Sequence, residues 1–206
     1  MPKRRSIFIS ASEDRLEKLI SQRLEPGADK AQIDARIWDL FGEEWCVMFT
    51  DLSGFSRDVA QFGIIHFLQT IVESERMLVP VIEDHDGILL KTEGDSFLII
   101  FRNIKKGVLC AIKMQETLQE YNQSRSAEEK VLLCVGIGYG KMLRIGDTEV
   151  FGQEVNAASK LGEDIAKSGE IIATQAVVDQ AKDINLTWEK LLQAPKGMGD
   201  AFKLKY

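Results

Sequence analysis

Between Cys46 and Gly140, short apolar runs and stretches of helical spacing alternate in an order that few folds can satisfy. Cys46-Val-Met-Phe-Thr-Asp51 is apolar and ends in polar turn residues, as a buried strand does. Ile64, Leu68, Ile71, Leu78 and Ile82 then repeat at helical intervals, with Pro80 placed to kink the helix. Two more apolar runs, Gly87 to Lys91 and Ser96 to Phe101, are joined by Thr92-Glu93-Gly94-Asp95, the composition of a hairpin turn. Ile104, Val108, Ile112, Gln115 and Leu118 mark a second helix, and Val131 to Gly140 a further strand. Its late glycines are where side chains would obstruct the approach of another backbone or a ligand. Strand, helix, two strands, helix, strand predicts an α+β fold with a ferredoxin-like core sheet and helices packed on one face.

The flanks add to this core. A Gly146-Asp147 turn leads to Val150-Phe151, Asn156 to Ala166 has helical character, and Ile171 to Ala173 and Ala201 to Leu204 read as late short strands. Upstream, Ser10 and Glu13 have the spacing of a capping box, followed by Leu16, Leu19, Ile20 and Leu24 up to a Pro26-Gly27 break. A second helix beginning at Asp29 would carry Ile33, Ile37, Leu40 and Phe41 on one face. The chain thus divides into a helical N-terminal extension, 1–42, and a principal domain, 43–206.

Composition excludes several functions. No apolar run reaches the roughly 18–20 residues that span a bilayer, and the start of the chain lacks the apolar stretch of a secretory signal, so a cytoplasmic location with no membrane contact is expected. With 26 Lys+Arg against 32 Asp+Glu the formal charge is −6, which argues against a nucleic-acid partner. Cys46, Cys110 and Cys134 are scattered without metal-ligand spacing and read as buried thiols.

Asp51 ends the first strand and Asp95 sits on the following hairpin, so neighbouring strands can bring both carboxylates to one rim. Alone they would repel each other; a divalent cation removes that penalty and supplies the positive charge a nucleoside triphosphate needs. Taken singly, each also has a plainer reading, as a helix cap and a turn residue.

Three segments in order, Phe49-Thr-Asp51-Leu-Ser-Gly54-Phe-Ser56, Lys91-Thr-Glu-Gly-Asp95 and Phe151-Gly152-Gln-Glu-Val155-Asn156-Ala-Ala-Ser-Lys160, resemble the signature segments of the class III nucleotidyl cyclases. The resemblance runs from about Glu44 to the C-terminus and implies a palm-type version of the ferredoxin-like core. It also implies that Asp51 and Asp95, with the Leu52 carbonyl, hold two Mg²⁺ or Mn²⁺ ions. The chain from Ser53 through Gly54 and Phe55 to Ser56 would receive phosphate oxygens on its amides. Lys91 and Glu149 occupy the two positions that choose the base. Adenine presents an acceptor at N1 and a donor at N6, which a lysine and a carboxylate can answer, and guanine reverses that pattern, so ATP is the expected substrate.

Asn156 matches the asparagine that positions the ribose. Lys160 stands where the family has an arginine facing the α-phosphate; it keeps the charge but loses the planar fork of donors. Lys196, in Pro195-Lys-Gly-Met-Gly199, resembles a late lysine that meets the outer phosphates. In this family the metal-binding and base-reading residues of one site come from two subunits, so a homodimer with shared sites is implied; no recognisable sensor accompanies the core, which leaves an unidentified regulatory protein open as a further partner. The resulting expectation is an adenylate cyclase that makes 3′,5′-cyclic AMP and pyrophosphate. A nucleotide-binding regulatory module of weak or no turnover is the alternative that Lys160 and Glu149 keep open.

Overall fold

The computed structural model describes residues 11–53, 62–192 and 199–206. Helices α1 (Ala11–Leu24) and α2 (Lys30–Phe41) open the chain. They part at the expected break, where Gly27 adopts a φ of 79°, and Asp29 caps α2 by accepting the Gln32 N–H at 3.0 Å. The capping box expected at Ser10 lies outside the described residues. Ile33, Ile37 and Phe41 are buried against Leu19 and Ile145. Leu40, expected on the same face, is 51% exposed, because a stripe advancing by fours through 33, 37 and 41 leaves it on the flank.

Strand β1 (Gly42–Leu52) follows α2 directly, and then come α3 (Ile64–Asp84), β2 (Ile88–Glu93), β3 (Ser96–Phe101), α4 (Ile104–Asn122) and β4 (Leu133–Ile145). Helix α3 continues through Pro80 to Asp84. After β4 the chain forms β5 (Glu149–Phe151), α5 (Gln153–Lys160) with a closing π turn (Leu161–Ile165), β6 (Ile171–Thr174), α6 (Gln175–Gln180), β7 (Thr187–Lys190) and β8 (Ala201–Lys205). The sheet order is β2-β3-β1-β4-β6-β8-β7, with β5 paired to β4. Within β2-β3-β1-β4 every neighbour is antiparallel. Each long helix therefore crosses between strands that have a third between them, which is the ferredoxin-like arrangement the pattern predicts.

Alternate residues of the strands serve opposite faces. Cys46 and Met48 of β1, with Phe97, Ile99, Phe101, Val135 and Ile137, meet Leu78 and Ile82 of α3 and Val108, Ala111 and Met114 of α4. These are the helices expected over one face. Trp45 and Val47 point the other way, with Leu90, Leu98, Ile100 and Met142, and are covered by Val150 of β5 and Val155 and Ala158 of α5.

Helix α5 can lie so close because β4 presents glycine to it. A Cβ on Gly136 would fall closer than 3.0 Å to the Ala158 carbonyl and the Gly162 amide, and one on Gly138 equally close to the Glu154 carbonyl. The glycines read from sequence as a close-approach site thus admit a backbone. Glu154 locks the helix in place, its carboxylate accepting the Tyr139 N–H at 3.1 Å and the Thr174 hydroxyl at 2.7 Å. The three cysteines are buried and free, as expected. Among the described residues no helix is long and apolar enough to cross a membrane.

Candidate active site

The antiparallel register of β1 and β3 sets Thr50 opposite Phe97, so the turn that opens β3 falls beside the end of β1. Asp51 and Asp95 are thereby brought together, as the sequence predicts. The Ser96 hydroxyl donates to Asp51 Oδ1 at 3.2 Å. Both carboxylates are half-buried, and among the described residues neither forms an ion pair with a lysine or arginine. Burial first, then the neighbouring Asp95 charge, pushes the Asp51 carboxyl up to about 6, against the relief supplied by the Ser96 hydroxyl. Burial raises Asp95 as well, eased by its own backbone N–H and that of Leu52. Two acids held together with no lysine or arginine paired to them among the described residues are a site that favours added positive charge. That fits a divalent metal bound by Asp51, Asp95 and the Leu52 carbonyl.

This has a measurable sign. A carboxyl whose pKa in the folded chain lies above its unfolded value of about 3.9 binds protons more tightly when folded, so its contribution to stability grows as pH falls from 7 toward 4 and is lost as pH rises through 6. In chelator, the urea midpoint of Asp51→Asn is expected to respond less to acidification over pH 7 to 5 than that of the parent. Parallel midpoint curves for the two proteins would refute the assignment.

Lys91 reaches the same face through an irregularity. Leu89 pairs with Ile99 and Lys91 with Leu98, so Leu90 is an extra residue in β2. A bulge re-aims the side chains that follow it. Regular alternation would have sent Lys91 with Leu89 toward α3 and α4; after the bulge it shares the face of Leu98. There Lys91 Nζ lies 3.3 Å from Glu149 Oε1, because the turn at Gly146, with φ of 61°, folds β5 back over that face. The two base-reading candidates are therefore joined.

Asn156 and Lys160 sit one turn apart on α5, both exposed, while Val155 beside Asn156 and Ala157 and Ala158 between the two are buried. Neither side chain makes a hydrogen bond or ion pair with another described residue. Ser53 behaves differently from expectation: its N–H donates to the Leu132 carbonyl at 2.8 Å. That amide closes β1 onto β4 and is not free for a phosphate. Gly54, Phe55, Ser56 and Lys196 lie outside the described residues.

Sequence reasoning missed three neighbours. Ser96 follows the hairpin aspartate and supplies the hydroxyl on Asp51. Glu93 forms an ion pair with Lys91 at 2.8 Å. Glu163, on the π turn, accepts the Ser159 hydroxyl at 2.8 Å and adds negative charge near Asp51. Phe49, Lys91, Glu93, Ser96 and Glu163 line one small cleft. For Glu93 a signal existed, since i and i+2 on a strand share a face; for Glu163 no local pattern foretells a π turn.

Residues 42–195 match the family described as adenylate and guanylate cyclase catalytic domain. A serine/threonine-protein kinase, pkn2, of Myxococcus xanthus is 30% identical over 131 residues, covering 64% of this chain and 16% of that protein. A putative adenylate cyclase 3 of Rhizobium meliloti is 24% identical over 131 residues, covering 64% of this chain and 22% of its own length. The chain thus aligns with less than a quarter of either curated relative. Among solved structures, an adenylate/guanylate cyclase/hydrolase from Silicibacter pomeroyi superposes with a TM-score of 0.68 at 23% identity, over 79% of this chain and 98% of that one. That likeness shows the fold.

Proposed function

The chain belongs to the adenylate and guanylate cyclase catalytic-domain family, and from that premise we propose that it converts ATP to 3′,5′-cyclic AMP and pyrophosphate. The observations that carry the reading are the half-buried Asp51–Asp95 pair, which no lysine or arginine joins among the described residues, and the joined Lys91–Glu149 pair. The reaction forms a bond from the ribose 3′ oxygen to the α-phosphorus and breaks the bond to pyrophosphate, while the 3′ hydroxyl gives up its proton.

Asp51, Asp95 and the Leu52 carbonyl would hold two Mg²⁺ or Mn²⁺ ions. Bound there, the ions supply acidity to the 3′ hydroxyl and neutralise the triphosphate. The carboxylates orient and balance that charge. Lys91 donates to adenine N1 and Glu149 accepts from N6. Asn156 orients the ribose, and Lys160 brings positive charge to the α-phosphate oxygens as a point charge rather than a planar fork. Lys160 also supports the second reading, a nucleotide-binding regulatory module, because losing one preorganised donor at such a position costs on the order of 10²–10³ in rate.

Purified protein incubated with ATP or GTP and Mn²⁺, with products identified by mass, decides between these. Cyclic AMP that Asp95→Asn does not make supports the enzyme. Nucleotide binding with no product above that variant supports the regulatory module.

Asn156 and Lys160 are exposed, which suits a two-fold homodimer in which each site draws Asp51 and Asp95 from one protomer and the remaining groups from its partner. Mixing Asp51→Ala chains with Lys91→Ala chains is expected to regain activity well above either alone, through the one site in each heterodimer left intact. No recovery in confirmed heterodimers would refute shared sites.

A further inference from the structure

Lys91 is held by two carboxylates: Glu93 Oε1 at 2.8 Å and Glu149 Oε1 at 3.3 Å from Nζ. Glu149 is accounted for by base reading; Glu93, the nearer of the two, has no role so far. We propose that Glu93 is a positioning residue that orients the Lys91 ammonium and thereby sets which nucleobase the site accepts. The proposal rests on the cyclase reading above and adds a determinant of its specificity.

The argument is one of donor counting. A lysine ammonium has three N–H donors and no acceptor. On a flexible four-carbon stem, held by one carboxylate, it can turn its other two donors over a wide arc. Held by two, it has one N–H left, and the direction of that donor is fixed by the two carboxylates. A single fixed donor distinguishes adenine N1 from guanine O6, because the two acceptors occupy different places on their base edges. A freely rotating ammonium answers either.

The backbone builds this arrangement. The bulge at Leu90 turns Lys91 onto the site's face, and the pairing of Glu93 with Ser96 keeps Glu93 on that face two residues later. The Lys91 side chain is only 32% exposed, so its range is already restricted, whereas Glu93 is 70% exposed. An ion pair so open to water contributes little to folding. Glu93 can therefore be changed with little loss of fold, which makes the role testable. Glu93 and Lys91 also line the same small cleft.

The test uses the full chain with Mn²⁺ and compares kcat and KM for ATP and for GTP in the parent, Glu93→Gln, Glu93→Asp, Lys91→Ala and the double variant Lys91→Ala/Glu93→Gln. The expected result is an ATP-over-GTP ratio of kcat/KM that falls about tenfold in Glu93→Gln, the size of one directed hydrogen bond. Most of the change should lie in KM, with the thermal midpoint unmoved and partial recovery in Glu93→Asp. The double variant should discriminate no worse than Lys91→Ala alone, since the two residues act as a unit. A ratio unchanged in Glu93→Gln, or additive losses in the double variant, overturns the proposal while leaving the cyclase reading intact. A parent that forms no cyclic product, or one that uses ATP and GTP equally, overturns it too, and only the first of these also removes the cyclase reading.

Discussion

Asp95→Asn is expected to cut cyclic-nucleotide formation about a thousandfold or more and, in the same protein, to make the chelator-treated chain slightly harder to unfold. The two effects share one cause. Asp51 and Asp95 are half-buried neighbours with no cationic side chain beside them among the described residues, and burial together with Asp95 lifts the Asp51 carboxyl to about 6. Asparagine keeps the shape and can still accept the Leu52 N–H, but it removes one of two repelling charges. The Asp51 carboxyl should then titrate closer to the ordinary carboxylate range, which an NMR titration of its side chain reads directly. Thermal stability without metal should rise by about 2 °C, a modest figure because both groups are partly solvated and the repulsion is screened. The loss of rate follows because a metal ligand supplies several kcal/mol of charge stabilisation, and each 1.4 kcal/mol is about tenfold. A variant that loses activity and also unfolds more easily would mean that Asp95 is a structural turn residue. One that keeps activity would remove the carboxylate pair from the proposed function.

The core of this arrangement was legible in the sequence because strands and helices announce themselves by period. The runs at Cys46, Gly87, Ser96 and Val131 each appear as strands, and the order of elements alone brings the end of β1 beside the β2–β3 hairpin. The meeting of Asp51 and Asp95 follows from that order. Lys91 was harder. Its position as a site residue was readable only from the resemblance of the surrounding segment, since period-2 alternation from Leu89 points it at the wrong face, and the correction comes from a bulge with no signature in Leu-Leu-Lys. The Ser53 amide was misjudged for a related reason: the register that takes it to Leu132 depends on β1 and β4 remaining paired to the end of β1. Strand β7 and helix α6 escaped notice because both are short and β7 is a largely exposed edge with little apolar pattern. The N-terminal pair was legible as helices, yet Leu143 and Ile145, the residues on which it packs, belong to a strand whose length beyond Gly140 the glycines concealed.

Those glycines support the last prediction. Gly136→Ala is expected to destabilise the chain by about 2–4 kcal/mol, more than an ordinary small-to-large change in a core, and to lower activity in whatever fraction stays folded. A Cβ at Gly136 would meet the Ala158 carbonyl and the Gly162 amide, both backbone atoms of α5 and its π turn, each closer than 3.0 Å. A flexible side chain could rotate away; backbone on both sides cannot. The helix must therefore lift, and two things oppose it: the burial of Val155 and Ala158 against Trp45 and Met142, and the Glu154 bonds to Tyr139 and Thr174. Any lift that relieves the clash carries Asn156 and Lys160 with it, and a displacement of 1 Å in positioning groups can cost on the order of 10²-fold in rate. Gly169→Ala is the control. Its φ of 77° makes alanine costly by about 1–2 kcal/mol, but nothing lies within 4 Å of the added carbon. That variant should lose stability and keep its specific activity. If Gly136→Ala behaves in the same way, α5 does not need its close seat on β4 to hold Asn156 and Lys160 in place. If Gly136→Ala loses turnover out of proportion to its unfolding, the glycine lane is what sets the height of α5 above the sheet, and with it the distance from Asn156 and Lys160 to the substrate.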